Sequence, residues 1–401
     1  MRAVYAESIN PDDPLKGLVV GERPDPEPPE GWTRVAVRAA SLNHHDLWTL
    51  RGVGIKAEQL PMILGCDAAG IDESTGEDVV VHGVINAPGW EGDDTVDPGR
   101  TLLSEKHQGS LADYVIVPKR NVLPKPTELS FAEAACLPTA WLTAYRMLFV
   151  KSGLRPGQSV LVQGASGGVA TACIAMARAA GFTVYATART EAKQAMALEL
   201  GAHLAVASGA RLPEKVDAVM ETVGEATYAH SARALKPGGR IVISGATSGP
   251  NPPADLNRFF FLQLELVGST MGTKAELRDL IAFLRATGLR PRIDRVLPVE
   301  QVADGLAAMA AGDIVGKIVL EFCAWRPSPR SCAPRSTRRR TTPCTRCANG
   351  CARPRCRCRR DRRTARTSRC RRRGCCAAPS WIGSVRWRPP SRPGTPPSGS
   401  S

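Results

Sequence analysis

Cysteine is the first thing residues 1–322 lack: only Cys66, Cys136 and Cys173 fall there, against ten between 323 and 401. Three thiols cannot form a disulfide framework, which excludes a stapled secreted scaffold and leads us to expect a reducing, cytoplasmic setting. No uninterrupted apolar run reaches 18 residues, so no membrane-spanning helix is expected. The opening MRAVYAESIN lacks the apolar core of a signal peptide. A basic excess is also missing from this stretch. Of the 53 Lys and Arg, 22 lie beyond residue 322, and the remaining 31 face 37 acids. The body is mildly acidic, and the net charge of +15 belongs to the C-terminal segment. No internal repeat is visible.

That segment, 323–401, has no Leu, Met, Phe, Tyr, Glu, Gln or Lys, and only one Ile and one Val. It cannot bury enough apolar surface to offset its ordering entropy, so a disordered tail is expected. Its arginine clusters, 338-RRR-340 and 371-RRR-373, would suit nucleic acid. Cys344, Cys347 and Cys351 have the spacing of half a metal clip. The composition fits better with out-of-frame translation of a GC-rich gene, since the surviving residue types are those of GC-rich codons.

What the body does contain is a change of pattern near residue 126. Before it, short strands (Val35–Ala40, Asp78–Val84, Tyr114–Val117) alternate with Pro/Gly-rich loops such as 23-RPDPEPPEG-31. After it, helices are expected at Phe131–Leu137 and Leu142–Val150. A six-strand α/β series follows, with strands located at Val160–Gln163, Thr183–Thr187, Val216–Met220, Arg240–Ser244 and Leu264–Ser269. Helices at Gly168–Ala180, Glu191–Leu200 and Tyr228–Leu235 lie between them. Such alternation predicts a doubly wound parallel sheet. Two helices (Lys274–Thr287, Val299–Ala311) and a strand (Lys317–Glu321) close the body. The expected domains are 1–125 completed by 271–322, and 126–270.

The strand 160-VLVQ-163 runs into 164-GASGGVA-170, which opens a helix. Small residues there allow a tight turn and let free N–H groups at a helix N-terminus meet a pyrophosphate. In this strand–loop–helix context the loop predicts dinucleotide binding, with Ser166, Gly167, Gly168 and Val169 as contacts. At the end of the next strand, where NAD sites place an acid, the sequence reads Ala188, Arg189, Thr190. Arg189 and Lys193 could instead meet a 2′-phosphate, so NADPH is expected over NADH.

The order of 42-LNHHDLW-48, 61-PMILGCDAAG-70, 109-GSLADYVIVP-118, 138-PTAWLTAY-145, the glycine loop, 221-ETVG-224, 236-KPGGRIVISGATSG-249, 266-LVGSTMG-272 and 316-GKIVL-320 resembles the medium-chain dehydrogenase/reductase superfamily. It is most similar to the quinone oxidoreductase-like branch. The resemblance implies a GroES-like β-rich domain plus a Rossmann domain. The catalytic zinc positions of the family fall on Asn43, Cys66 and Thr139, a poor donor set. Loop 86–108, where zinc enzymes carry a structural lobe, has no cysteine, so no metal is expected.

What then remains is hydride transfer to a quinone or an α,β-unsaturated carbonyl. The resemblance sets Asn43, Thr143, Val223, Gly245, Ala246 and Met271 beside the cofactor, with Lys317 returning over it. His45 could protonate an enolate or quinol oxygen, or be a satisfied histidine; for His44, contact with a cofactor phosphate is favoured. A homodimer paired through Leu264–Ser269 is expected. Two alternatives stay open: an alcohol or aldehyde dehydrogenase, and a low-turnover cofactor-binding protein whose basic tail binds nucleic acid.

Overall fold

The computed structural model describes residues 1–322; the expectations for 323–401 lie outside the described residues. Apolar runs make the first sheet. All four residues of Ser159–Val162 are buried, as a central strand covered on both faces requires. Six parallel strands run in the order Leu204–Ala207, Thr183–Ala188, Ser159–Val162, Val216–Glu221, Leu235–Ile243, Glu265–Gly268. Numbered along the chain this is 3-2-1-4-5-6, the doubly wound Rossmann order. Helices Gly168–Ala179, Glu191–Glu199 and Glu225–Ala234 connect successive strands. Local chemistry sets their ends. Thr190 Oγ1 accepts from Lys193 N at 3.3 Å, the preferred N-cap arrangement. Helix Lys274–Thr287 starts on a Thr273/Glu276 capping box and ends on Gly288 at φ 70°, the left-handed stop that glycine takes without strain.

The second sheet is mixed. Its path is Val122–Pro124, Asp78–Val81, Ala68–Asp72, Trp32–Ser41, Lys317–Glu321, Ile293–Pro298, and Tyr114–Pro118 also pairs with Trp32–Ser41. The C-terminal strand thus joins the N-terminal sheet, with Val319 opposite Ser41 and Glu321 opposite Ala39. Arg2–Ala6 forms a smaller sheet with Leu18–Glu22 and Met62–Ile63. The architecture is a GroES-like β-rich unit plus a Rossmann unit.

Several elements differ from the sequence reading. The strand expected over Asp78–Val84 breaks into Asp78–Val81 and Val84–Ile85, because His82 N turns to Asn121 O. The expected helix Leu142–Val150 lies inside a continuous run of α and π turns from Leu137 to Lys151, with Pro138 in its first turn, where a missing N–H costs nothing, and the expected helix Phe131–Leu137 shortens to Phe131–Ala134. The unlocated sixth parallel strand is Leu204–Ala207. Ile293–Pro298 and helix Leu256–Leu262 were not foreseen. Among the described residues no helix is long and apolar enough to cross a membrane.

Candidate active site

The strand order reverses between Ser159–Val162 and Val216–Glu221, and the crevice beyond such a switch point is where doubly wound folds bind ligands. Three loops meet there. Gly164 has φ +65°, and a Cβ on it would lie 2.8 Å from Val223 Cγ2. A Cβ on Gly224 would lie 2.9 Å from Ala246 Cα, and one on Gly245 would lie 3.0 Å from Thr222 O. The structure therefore brings Val223, Gly245 and Ala246 together beside the glycine loop.

Glu221 ties this crevice down. Fully buried, it accepts from Val223 N at 2.8 Å, Gly224 N at 3.1 Å, Thr227 Oγ1 at 2.9 Å and Ser231 Oγ at 2.6 Å. Ser231 also accepts from Gln163 Nε2 at 3.0 Å, and Gln163 Oε1 accepts from Thr187 Oγ1 at 2.6 Å.

The glycine loop fits a dinucleotide. Helix Gly168–Ala179 starts with no side-chain cap on Gly167, so its first-turn N–H groups remain for an anion. A Cβ on Gly167 would meet nothing within 4 Å. Ser166 O accepts from Gly316 N at 2.8 Å, a backbone bridge to the strand that carries Lys317. Val169 packs on the core, and Thr143 is buried in the turn Leu142–Tyr145. Met271 sits at φ 48°, on the wall of the cavity described below.

Lys317 joins the two sheets. Its stem would be 2.6 Å from a Cβ on Gly168, so only glycine leaves it room. Its ammonium donates to Leu42 O at 2.5 Å and Asn43 Oδ1 at 2.6 Å, and lies 3.8 Å from Asp67 Oδ2. Asp67 also accepts from Ser41 Oγ at 2.6 Å, Asn43 Nδ2 at 2.9 Å and Thr139 Oγ1 at 2.5 Å. Cys66 Sγ is 3.6 Å from Asn43 Nδ2 and 3.4 Å from Thr139 Oγ1. Burial pushes its thiol well above the ordinary range, and the charge of Asp67 adds to this.

Asn43, Cys66 and Thr139 thus converge, but they do not suit zinc. Asn43 turns its N–H₂ toward the sulfur and its oxygen toward an ammonium, and Thr139 spends its proton on Asp67. Among the described residues no group of three His, Cys, Asp or Glu is arranged to hold a metal ion.

The two histidines part company. His45 Nε2 lies 3.3 Å from Glu105 Oε1, and its Nδ1 is 3.3 Å from Ser104 Oγ. His44 stacks on Trp48 with ring centroids 6.5 Å apart. Surrounding protein lowers the pKa of His44, and the cations of Lys317 and Arg51 lower it further. Asp46 accepts from Asn43 N at 2.8 Å and Gly65 N at 2.9 Å; burial pushes its carboxyl up to about 6.

Arg189 and Lys193 stand apart from these groups. Lys193 Nζ donates to Gly312 O at 2.5 Å, and a Cβ on Gly312 would lie 2.7 Å from Arg189 Nη2. Both cations thus gather over the C-terminal end of helix Val302–Ala311, one of them already engaged.

A cavity of about 310 Å³ opens beside Glu105, the partner of His45, walled by Val84, Thr95, Arg100, Thr101, Glu105 and Met271. Its acidic member is internally matched. Burial raises the Glu105 carboxyl, but hydrogen bonds from His45, Leu102 N and Thr101 outweigh it and hold the pKa below its ordinary value. Loop 86–108 forms much of this wall. In place of cysteines, the Asp93–Arg146–Glu276 chain and the Asp94–Lys274 pair fasten it to the turn Arg146–Lys151 and to the first turn of helix Lys274–Thr287.

Sequence reasoning missed Asp67, Glu105 and Glu221. Asp67 and Glu221 carried a signal: each is an acid beside apolar or glycine residues, in 65-GCDAAG-70 and 216-VDAVMETVG-224, where an exposed carboxylate is out of place.

The alcohol dehydrogenase GroES-like domain family matches residues 29–127, and the zinc-binding dehydrogenase family matches residues 168–286. A zinc-type alcohol dehydrogenase-like protein of Schizosaccharomyces pombe is 31% identical over 319 residues, 73% of this chain and 91% of that protein. The quinone oxidoreductase of Lama guanicoe is 29% identical over 340 residues, 80% of this chain and 97% of that one. A crystal structure of an NAD-dependent alcohol dehydrogenase is 34% identical with a TM-score of 0.75, covering 80% of this chain and all of that chain.

Proposed function

The chain belongs to the medium-chain dehydrogenase/reductase superfamily, whose members are NAD(P)-dependent oxidoreductases, and from that premise we propose that it is an NADPH-dependent reductase of quinones or α,β-unsaturated carbonyls that works without catalytic zinc. The observation that carries this reading is the Lys317 ammonium, 2.6 Å from Asn43 Oδ1, where the zinc enzymes of the family keep a metal. A fixed cation there opposes a second one. Without a Lewis acid to ionise an alcohol, the favoured substrates are already electrophilic.

Residues 1–125 with 271–322 form the catalytic domain of this reading, and 126–270 the cofactor domain. When bound, reduced nicotinamide supplies the hydride. Ser166, Gly167, Gly168 and Val169 hold its pyrophosphate, and Val223, Gly245, Ala246, Thr143 and Met271 flank the nicotinamide. Lys317 anchors Asn43 at the same place. His45, backed by Glu105, returns the proton that an enolate or quinol oxygen needs after hydride arrives. His44 faces the cofactor phosphates. Arg189 favours the 2′-phosphate; Lys193 joins it only by leaving Gly312 O.

Strand Glu265–Gly268 edges its sheet, with Leu266 52% exposed and Phe260 and Phe261 at 70% and 80%. A bare apolar edge of this kind supports a homodimer.

The test is a screen of quinones, enones and primary alcohols against both cofactors, with zinc measured in the same preparation. Reduction of quinones or enones with NADPH, and substoichiometric zinc, is expected. Alcohol oxidation lost on chelation would overturn the proposal.

A further inference from the structure

The cavity beside His45 and Glu105 has a chemistry that narrows the substrate. Its volume, about 310 Å³, sits at the lower end of small-molecule sites, roughly 300–1,000 Å³, and suits a short molecule rather than a long-tailed quinone. Glu105 is spent: Oε1 faces His45 at 3.3 Å, and Oε2 accepts from Leu102 N at 2.9 Å and Thr101 Oγ1 at 3.2 Å. Thr95 donates its hydroxyl proton to Asp93 at 2.7 Å.

Arg100 is different. Its Nη1 donates to Asp97 O at 3.2 Å, and among the described residues no ion pair joins its guanidinium to a carboxylate. The Asp97 carboxylate, the nearest candidate, accepts from Ala87 N at 2.8 Å and Gly99 N at 2.7 Å. The wall therefore presents a cation whose fork of donors is largely unused, together with an ionised Glu105 whose oxygens are already taken up by hydrogen bonds from His45, Leu102 N and Thr101. A planar, two-oxygen anion matches that fork.

Building on the reductase reading above, we infer that the substrate is a short α,β-unsaturated carbonyl compound bearing a carboxylate, and that Arg100 is the residue that selects for the acid. The carboxylate docks on Arg100 at the loop wall, which leaves the electrophilic end for the part of the cavity that Glu105 and Met271 line, with His45 behind Glu105. Arg100 is exposed, so the preference is electrostatic, moderate and sensitive to salt.

The experiment separates this assignment from the reading beneath it. Binding is measured by calorimetry on the full chain with oxidised NADP+ present, which has no hydride to give, using the saturated pair 4-oxopentanoate and its methyl ester. The acid is expected to bind about tenfold more tightly than the ester at low salt. The gap should narrow near 0.5 M salt, stay partial in Arg100→Lys and fall to about one in Arg100→Met. Equal or tighter binding of the ester, or a gap that survives Arg100→Met, overturns the assignment. NADPH oxidation with 4-oxopent-2-enoate and its methyl ester is the second arm. If the binding gap holds and neither compound is reduced, the carboxylate site stands and the reductase reading falls. If both are reduced equally and no gap exists, the reading stands and the assignment falls.

Discussion

Asp67 and Glu221 are both fully buried, and the two halves of the molecule hold them by different means. In the GroES-like half, Asp67 has three neutral donors and the Lys317 ammonium 3.8 Å away. In the Rossmann half, Glu221 has no cation among its hydrogen-bonding partners. Two backbone N–H groups, Thr227 and Ser231 hold it, at the start of helix Glu225–Ala234, where the helix dipole also favours a negative charge. One carboxylate depends on a residue 250 positions away in sequence; the other depends on the ten residues that follow it. The first should be fragile to a single distant change, the second to a change in itself.

The largest effect is expected from Lys317→Met, which keeps the stem over Gly168 and removes the charge. Asp67 is then buried without its cation, a loss of about 3–5 kcal/mol, read as a lower urea midpoint. A midpoint unchanged from the parent would mean that the neutral donors alone suffice.

Asp46 sharpens the comparison, because it is buried with two backbone N–H partners and no cation of its own. Its folded pKa of about 6 lies above the ordinary 3.8. Between those values the folded chain keeps a proton that the unfolded chain has lost. The contribution to stability is therefore complete below about pH 3.8 and lost as pH rises through 6, amounting to about 3 kcal/mol. Unfolding free energies measured across this window should fall for the parent, and Asp46→Asn should lack that component. Parallel curves for the two proteins would contradict the assignment.

A smaller effect is expected from Glu221→Gln, which keeps the shape but turns an amide N–H₂ toward donors. About 2 kcal/mol of stability should be lost, together with a rise in cofactor Kd as the Val223 loop loosens. A stability loss with unchanged cofactor affinity would make Glu221 structural only.

The smallest concerns Arg189, outside both clusters. Arg189→Ala should weaken NADPH by about tenfold, some 1.4 kcal/mol, and leave NADH unmoved in fluorescence titrations. Equal weakening of both cofactors would remove Arg189 from any role at a 2′-phosphate.

Periodicity and turn chemistry made much of the fold legible. Val160–Gln163 read as a strand and 164-GASGGVA-170 as the turn that opens the next helix, because each signal is local. Leu204–Ala207 escaped because four small or aliphatic residues carry little pattern. Ile293–Pro298 escaped because Asp294, Arg295 and a closing proline mask it. Within the candidate site, Asn43, Cys66 and Thr139 could be grouped from the sequence by resemblance. Their tie to Lys317 could not, since 274 residues separate it from Asn43 and only the sheet brings them together. Glu105 was equally hidden, in a loop whose composition announces only the absence of cysteine.

The pairing of Lys317–Glu321 with Ala39–Ser41 also bears on the order in which the chain becomes a protein. A ribosome delivers the N-terminal strands first, yet the inner strand Trp32–Ser41 gains one of its neighbours only when the last strand of the body emerges. The Rossmann strands, each paired within a few dozen residues, can close in the meantime. Until then the early sheet exposes an unpaired edge of backbone donors and acceptors, a surface that invites wrong partners. The GroES-like half is thus the first to be made and the last to be finished.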